Sequence, residues 1–481
     1  HTNTNTMELL MLIALLFCFV PAVTIYSYTR RSRAEANFHR ISDAVVAHQA
    51  LVQNADDLLN RPAAIFPVSL ATWRDGQRND NITTADHGPH WRALRHNLTA
   101  ALLHPSRLGS HDPLHHEAAQ ALIADLSARG SQGAEVIIRG PISTALFALA
   151  TRLCFGDLMD GSQRRVMGRV VRDSMAAVAA LNPVFDGSAL SKLVNWRGFR
   201  RISALMDRQA ELYLPLIEAR RQLSQSGRHR DQALGRTYVD SLLDLRVPVD
   251  GDAIGAAGRR ALRDGEIVAL VFEFLGAATG SAATCVEWTL AHLIDQPEVL
   301  EKLRNEIHEK VSGTGGATTL SSSILSGMPY LDAVVIESLR MHPPVPLTLR
   351  SAHDEGAKAV GATTVPASGL RVLFSLGDIG RDNRSWTDPD EFRPERFLPG
   401  GEAEDVGPLP GRKRIRMMPF GAGHRYCPGV AMGMLHIKCF LAALVHEFEW
   451  APSPEECSGS VDSAFLRVMK KPLRARFTRR T

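Results

Sequence analysis

Phe420-Gly421-Ala422-Gly423-His424-Arg425-Tyr426-Cys427-Pro428-Gly429 is the stretch that decides how the rest of the chain is read. A cysteine that ligates a metal must be a thiolate on a rigid turn, with backbone N–H groups aimed at the sulfur and water kept away. Those interactions set the ligand's basicity and potential. Glycines at 421, 423 and 429 permit that tight backbone and the close approach of a flat macrocycle. Phe420 supplies an apolar cover for the sulfur, and Arg425 offers a cation to an acidic group on the macrocycle's edge. The helical pattern after Gly429 turns the positive end of a helix dipole toward Cys427. A buried structural cysteine in a glycine-rich turn is the alternative, and it is the default for an isolated cysteine.

Working outward, Glu337-Ser338-Leu339-Arg340 places an acid and a base three apart on one helix face, and Pro394-Glu395-Arg396-Phe397 brings a second guanidinium. Glu337, Arg340 and Arg396 can meet in one buried charge network; an exposed helical pair, worth little, is the competing reading. Trp91 and Arg95 stand four apart on a helix beginning near Pro89. An indole N–H and a guanidinium on one face suit a carboxylate.

These segments, in this order, resemble the signature motifs of the cytochrome P450 family, over Ile41 to Met469. The ending Met469-Lys470-Lys471-Pro472-Leu473 is similar to that of plant microsomal members. The resemblance implies a fold that is mainly α with a small β-sheet, in a single haem-thiolate domain. It implies haem b (iron protoporphyrin IX), with Cys427 as metal ligand. Trp91, Arg95, Arg350 and Arg425 would contact the propionates, and Phe420, Gly421 and Gly429 would shape the cysteine loop. Glu337, Arg340 and Arg396 would form the structural network. The activity implied is that of a monooxygenase, an oxidoreductase that inserts one oxygen atom from dioxygen into an apolar small molecule. Electrons would come from NADPH through a flavin reductase, since nothing here resembles GxGxxG after a strand.

Glu273-Phe274-Leu275-Gly276-Ala277-Ala278-Thr279-Gly280-Ser281-Ala282 falls where the family places its oxygen-binding helix. Ala277, Ala278, Gly280 and Ser281 would line the distal side. The resemblance leads one to expect an acid followed by a threonine, which together deliver protons during oxygen activation. Here Gly280 takes the acid's place and Ser281 the alcohol's. Relatives that rearrange hydroperoxides also lack the usual pair, so an isomerase or lyase of the same fold is the alternative activity, and a non-catalytic truncated relative is a third reading.

The remaining sequence is ordinary globular material: 481 residues, 45% hydrophobic and 22% charged, with net charge +4, well short of a nucleic-acid-binding profile. Six scattered cysteines without CxxC pairing fit a reducing compartment. Leu9 to Ile25 is an apolar run followed by Arg30, Arg31 and Arg33, which predicts a single-pass anchor over residues 7–29 in the endoplasmic reticulum membrane, with the catalytic domain cytosolic. Residues 1–6 read as a leader or tag, and 30–481 as the catalytic domain. Only about seven residues separate Arg33 from Ile41, so a proline-rich hinge and first strand are expected to be missing, with loss of a backbone partner for the sheet.

Apolar residues recur at helical spacing through Trp91–Leu103, Glu117–Leu126, Ser143–Phe155, Val166–Leu181, Ala204–Leu223 and Glu266–Leu293, and strands are expected near Thr363–Pro366, Leu370–Ser375 and Phe465–Met469. The cluster His111, His115 and His116 reads as surface histidines. Arg412, Lys413, Arg414, Arg416 and Lys438 flank the cysteine loop as a basic docking face for an acidic reductase surface.

Overall fold

Each of the six segments with helical periodicity folds as a helix that begins ahead of the periodic stretch: Pro89 and Pro113 stand in the first turn of two of them, and in another the Glu266 carboxylate accepts from the Arg263 N–H. The computed structural model describes residues 38–62, 73–74, 77–130, 135–181, 195–226, 236–249, 258–312, 320–352, 358–361, 370–452, 460–463 and 465–480. The anchor expected over 7–29 and the strand expected near Thr363–Pro366 lie outside these residues.

The chain enters through β1 (Phe38–Ile41) and α1 (Ala44–His48), which continues as a π-helical turn, Gln49–Gln53. Asp43 caps α1 by accepting from the N–H groups of Val45 and Val46 at 2.8 and 3.0 Å. Next come α2 (Pro89–Leu98), α3 (Asp112–Arg129), the short strand β2 (Val136–Ile137), α4 (Arg139–Phe155), α5 (Gly161–Leu181) and α6 (Trp196–Gln225). After these follow α7 (Tyr238–Asp244), α8 (Asp264–Asp295), α9 (Pro297–Ser312), α10 (Pro329–Met341), β3 (Leu347–Ala352) and β4 (Leu370–Ser375). The chain ends with α11 (Val430–Glu447), β5 (Phe448–Pro452), β6 (Ser460–Ser463), β7 (Leu466–Met469) and β8 (Arg474–Arg479).

The long helix α8 is the axis of the main core. It packs most extensively against α4, and then against α11, α6 and α10. Leu126, Leu146, Ala150, Val271, Leu275, Val286, Leu290, Phe440 and Leu444 are almost wholly buried there, each large aliphatic contributing about 1.5–3 kcal/mol of hydrophobic stabilisation. Both α8 and α11 are long and apolar enough to cross a membrane, but most of each is buried against the rest of the protein, as in the core helices of a globular domain.

A second, smaller core joins sheet to cysteine loop. β4 is central in a three-stranded sheet, parallel to β1 (Phe38 opposite Arg371, Ile41 opposite Phe374) and antiparallel to β3 (Leu347 opposite Ser375). Ile41, Leu51, Val372 and Phe374 pack with Ile415, Met418 and Ala422, directly under the loop. Among the described residues β1 has β4 as its sheet neighbour and stands at the edge; the expected absence of a hinge and first strand concerns residues before Phe38, outside the described ones. β8 lies between β2 and β5 in a second sheet, and β6 and β7 form a separate hairpin.

Two of the three clustered histidines are not on the surface. His111 and His115, one helical turn apart at the start of α3, are 4% and 1% exposed, and the His115 ring lies 5.0 Å from His436 of α11. Their i,i+4 spacing puts both on the face turned toward α11.

Candidate functional site

The cysteine loop closes on itself by backbone hydrogen bonds. The Cys427 N–H donates to Phe420 O at 2.8 Å, Gly421 N–H to Met418 O at 2.8 Å and Tyr426 N–H to Gly423 O at 3.1 Å. Gly421 and Gly423 hold φ of 72° and 69°, where a side chain is strained. A Cβ on Gly423 would also stand 2.5 Å from Leu51 O. α11 begins at Val430, immediately after the loop, with its N-terminus beside Cys427. A Cβ on Gly429 would touch the sulfur at 3.8 Å, and the Gly429 N–H is hydrogen-bonded to it. Burial pushes the Cys427 thiol above its ordinary range, while the Gly429 N–H and the guanidiniums of Arg95 and Arg61 pull it down. Cys154, Cys285 and Cys439 are pushed up by burial too, the latter two to about 12, and no cation pulls any of them back.

Four arginines converge at the cysteine loop, two of them near enough to act on the sulfur. Arg425 donates to Leu59 O, Ile82 O and Ala85 O at 2.9, 3.1 and 2.7 Å and lies over the Trp91 ring at 4.7 Å. Arg350, on β3, donates to Thr348 Oγ1, Leu349 O and Ala422 O at 3.0, 2.8 and 3.2 Å. Arg95, on α2, stacks over Tyr426 at 4.6 Å. The fourth, Arg61, sequence reasoning missed. Burial pulls its guanidinium below the ordinary range, opposed by Glu273 and by the Cys427 sulfur and reinforced by Arg95. Burial likewise lowers Arg350 well below its usual value, with Arg61 and Arg425 adding to the shift, and lowers Arg425 to about 10, with Arg61 adding. Mutually repelling buried guanidiniums are a surplus of positive charge that calls for an anionic ligand.

Trp91 is placed differently from expectation in one respect. Its indole N–H donates to Ile82 O at 3.1 Å, the carbonyl that Arg425 also uses, so Trp91 backs the arginines and its donor is already engaged.

The residues expected on the distal side lie on α8. Its buried residues run to Leu275 and resume at Ala282, and the stretch 276–281 between them has accessible surface. Ala277, Ala278, Gly280 and Ser281 are therefore together in one open window of an otherwise internal helix. The Ser281 hydroxyl donates to Ala277 O at 2.8 Å and the Thr279 hydroxyl to Leu275 O at 2.9 Å. Both protons are bound to the helix itself, leaving lone pairs as the outward function. One turn earlier Glu273 accepts from Ile82 N–H at 3.0 Å and Thr83 N–H at 2.6 Å, tying the window to the segment behind Trp91. Burial raises its carboxyl above the usual range against these hydrogen bonds and Arg61.

Glu337, Arg340 and Arg396 do meet. Arg340 donates through Nε and a terminal nitrogen to the two Glu337 oxygens at 2.6 and 2.8 Å, and Arg396 Nε reaches Glu337 Oε1 at 3.2 Å. Arg340 also holds Gly380 O and Pro389 O at 2.9 and 2.7 Å. The network thereby fastens α10 to the segment leading into the cysteine loop.

Two of the five basic residues expected on a docking face are turned inward. Arg416 is 7% exposed, stacked on Trp386 at 4.2 Å and bonded to Ser385 O, and Lys438 is paired with Asp332 at 2.8 Å. Both are structural, because packing beneath the loop takes their side chains inward. Arg412, Lys413 and Arg414 are exposed. Arg412 borders a recess of about 620 Å³ on the outer side of the cysteine loop, shared with Leu51, Arg92, His96, Leu409 and Tyr426.

The cytochrome P450 family model matches residues 30–479. Cytochrome P450 89A9 of Arabidopsis thaliana is 32% identical over 447 residues, covering 90% of this chain and 83% of the relative. Cytochrome P450 78A1 of Zea mays is 31% identical, covering 83% and 72%, and a flavonoid 3'-monooxygenase of Crocosmia x crocosmiiflora is 27% identical, covering 86% and 77%. A zebra fish cytochrome P450 solved with progesterone superposes with a TM-score of 0.70 at 20% identity, covering 92% of this chain and 93% of that one.

Proposed function

We propose, because the chain belongs to the cytochrome P450 family, that it is a membrane-bound monooxygenase using Cys427 as its metal ligand, an NADPH-dependent flavin reductase as electron donor and an apolar small molecule as substrate. Its relatives are plant cytochromes P450, one of them a flavonoid 3'-monooxygenase, and haem is the cofactor of the family. When bound, haem supplies the redox centre at which dioxygen is activated, and thiolate ligation favours O–O cleavage.

The residues fit that group. A dianionic macrocycle edge answers the surplus charge of Arg61, Arg95, Arg350 and Arg425, and the open window of α8 gives its other face room for a ligand. Cys427 carries the reading: of the described cysteines it is the one with a backbone N–H, a helix N-terminus and nearby guanidiniums directed at its sulfur. In this reading Phe420 and Gly433 close the apolar side of the sulfur, and Ala277 and Ala278 present an apolar floor to substrate. The Ser281 lone pairs accept from a water that brings protons in, because no carboxylate stands at 280.

Arg412, Lys413 and Arg414 with Arg92 form the basic rim on which an acidic reductase surface would dock. Residues 7–29 would anchor the domain to the membrane. Trp196, 47% exposed with Arg197 and Arg200 beside its ring, is suited to a headgroup interface.

The carbon-monoxide difference spectrum of the reduced protein tests the central claim. Absorbance at the position of a thiolate-ligated complex, lost in Cys427→Ser, supports it; retention of that band in Cys427→Ser overturns it. The absence of a carboxylate at 280 favours one second reading, a hydroperoxide isomerase or lyase. Consumption of a fatty-acid hydroperoxide without reductase, and no NADPH-dependent turnover, would select it.

A further inference from the structure

Gly280 weakens the middle of α8, where any other residue except proline would make the better helix, so its value has to come from what packs against it. That partner is Leu466. A Cβ built on Gly280 would stand 2.7 Å from Leu466 Cδ1, well inside contact distance.

Leu466 is the first residue of β7, opposite Ser463 across the β6–β7 hairpin. Phe465, just before it, holds φ of 71°, a left-handed conformation that a non-glycine residue keeps only where its surroundings impose it. Here the surroundings are visible: the Phe465 side chain packs against Ala177 and Val178 of α5 and Ile202 of α6. The base of the hairpin is tied down as well, Arg467 N–H donating to Pro344 O at 2.8 Å and Arg139 to Met469 O at 2.9 Å. A turn fixed at its base and pinned at its tip by Phe465 delivers Leu466 onto the window of α8.

We propose that Gly280 and Leu466 are a single packing unit, in which the hairpin leucine fills the volume a carboxylate at 280 would take. Leu466 then sets the size of apolar ligand that can stand against Ala277–Ser281. The pairing rests on the haem-thiolate reading only for what it does to ligands; as packing it stands without it. It follows that a side chain at 280 displaces the end of Leu466 from its place, and that it is accommodated at lower cost when Leu466 is shortened.

The test uses the full chain, haem-loaded, as wild type, Gly280→Ala, Leu466→Ala and the double variant, with spectral titrations by imidazole and 4-phenylimidazole and with thermal melting. Leu466→Ala is expected to tighten 4-phenylimidazole by about tenfold or more while imidazole changes by less than about twofold. The added methyl of Gly280→Ala is expected to lower the melting temperature in the wild-type background and much less in the Leu466→Ala background, because neighbours in contact are non-additive. Equal shifts for the two imidazoles would remove Leu466 from the ligand pocket, and additive melting shifts would dissolve the pair. A wild-type protein without the carbon-monoxide band would refute the haem reading instead, and the melting cycle, run on that protein, would still decide the packing.

Discussion

Arg340 grips both oxygens of Glu337, at 2.6 and 2.8 Å, and the side chains of both residues are fully buried. Arg396 shares the same carboxylate. Removing that one anion takes the carboxylate partner from the buried Arg340 and leaves Arg396 with Glu402, a far larger effect than breaking a surface pair. Glu337→Ala is expected to destabilise the fold by about 3–5 kcal/mol, and Arg396→Met, which leaves the Arg340 pair intact, by less. Urea unfolding monitored by circular dichroism measures both; equal, small losses would mean that the network is not the clamp its geometry describes.

Cys427 and Cys439 lie twelve residues apart in sequence and in opposite surroundings. Burial lifts the Cys439 thiol to about 12, with Asp112 adding to the shift, whereas Cys427 has a backbone N–H and two guanidiniums acting against its burial. Cys439→Ala is expected to keep full haem content and its thiolate spectrum with only a packing loss of stability. Cys427→Ala is expected to lose the spectrum altogether. Pyridine haemochromogen assays and carbon-monoxide spectra of the two variants give the comparison.

The arginine cluster predicts opposite effects in two states of one protein. Arg61 lowers the guanidinium pKa values of Arg350 and Arg425, and Arg425 adds to the lowering of Arg350, so without an anionic ligand Arg61 is a burden on both neighbours. Arg61→Met is expected to raise the melting temperature of the haem-free chain, yet to speed haem loss to an apomyoglobin acceptor by about tenfold, one to two charge-assisted hydrogen bonds being removed. If the haem-free chain melts lower in the variant and haem loss is unchanged, Arg61 is a structural residue and has no role toward the cofactor.

Acid should unfold this protein early. Burial, together with His115 and Arg107, lowers the His111 imidazole to about 4, with Asp112 opposing. Its ring nitrogen Nδ1 has no hydrogen-bond partner, and the same is true of Nε2 in His115 and in His436. The unfolded chain takes up a proton at His111 near pH 6.5, and the folded chain not until about 4. As pH falls through that window the unfolded state gains protons first, and stability on the order of 3 kcal/mol from this group is lost. Above 6.5 it contributes no pH dependence. His111→Leu is expected to flatten the stability profile between pH 6.5 and 4 while leaving pH 8 nearly unchanged; an unaltered slope in denaturant titrations would show that His111 stays neutral in both states.

Much of the site was legible because its chemistry is local. The glycines, Cys427 and the start of α11 occupy one short stretch, and backbone hydrogen bonds within that stretch build the loop. Glu337 and Arg340 are a helical turn apart, so helix geometry alone brings them together. The long helices followed from periodicity. β3 did not, since it carries the buried Arg350 where an alternating strand pattern would place an apolar residue.

What the sequence could not supply were partners distant along the chain. Arg61 is an ordinary loop arginine until folding sets it among Arg95, Glu273 and Cys427. Arg416, Lys438, His111 and His115 read as surface residues by composition, yet each is drawn inward by a helix or loop that no local pattern specifies. Gly280 by itself reads as a missing acid; only the fold supplies Leu466, 186 positions away in sequence, as the side chain that takes its room. The sequence by itself determined the cysteine loop, the helical architecture and the family, because these rest on backbone geometry and short spacing. The tertiary structure decided which charges face the site and what fills its distal wall, because burial and Coulomb energy depend on neighbours in space and not on order in the chain.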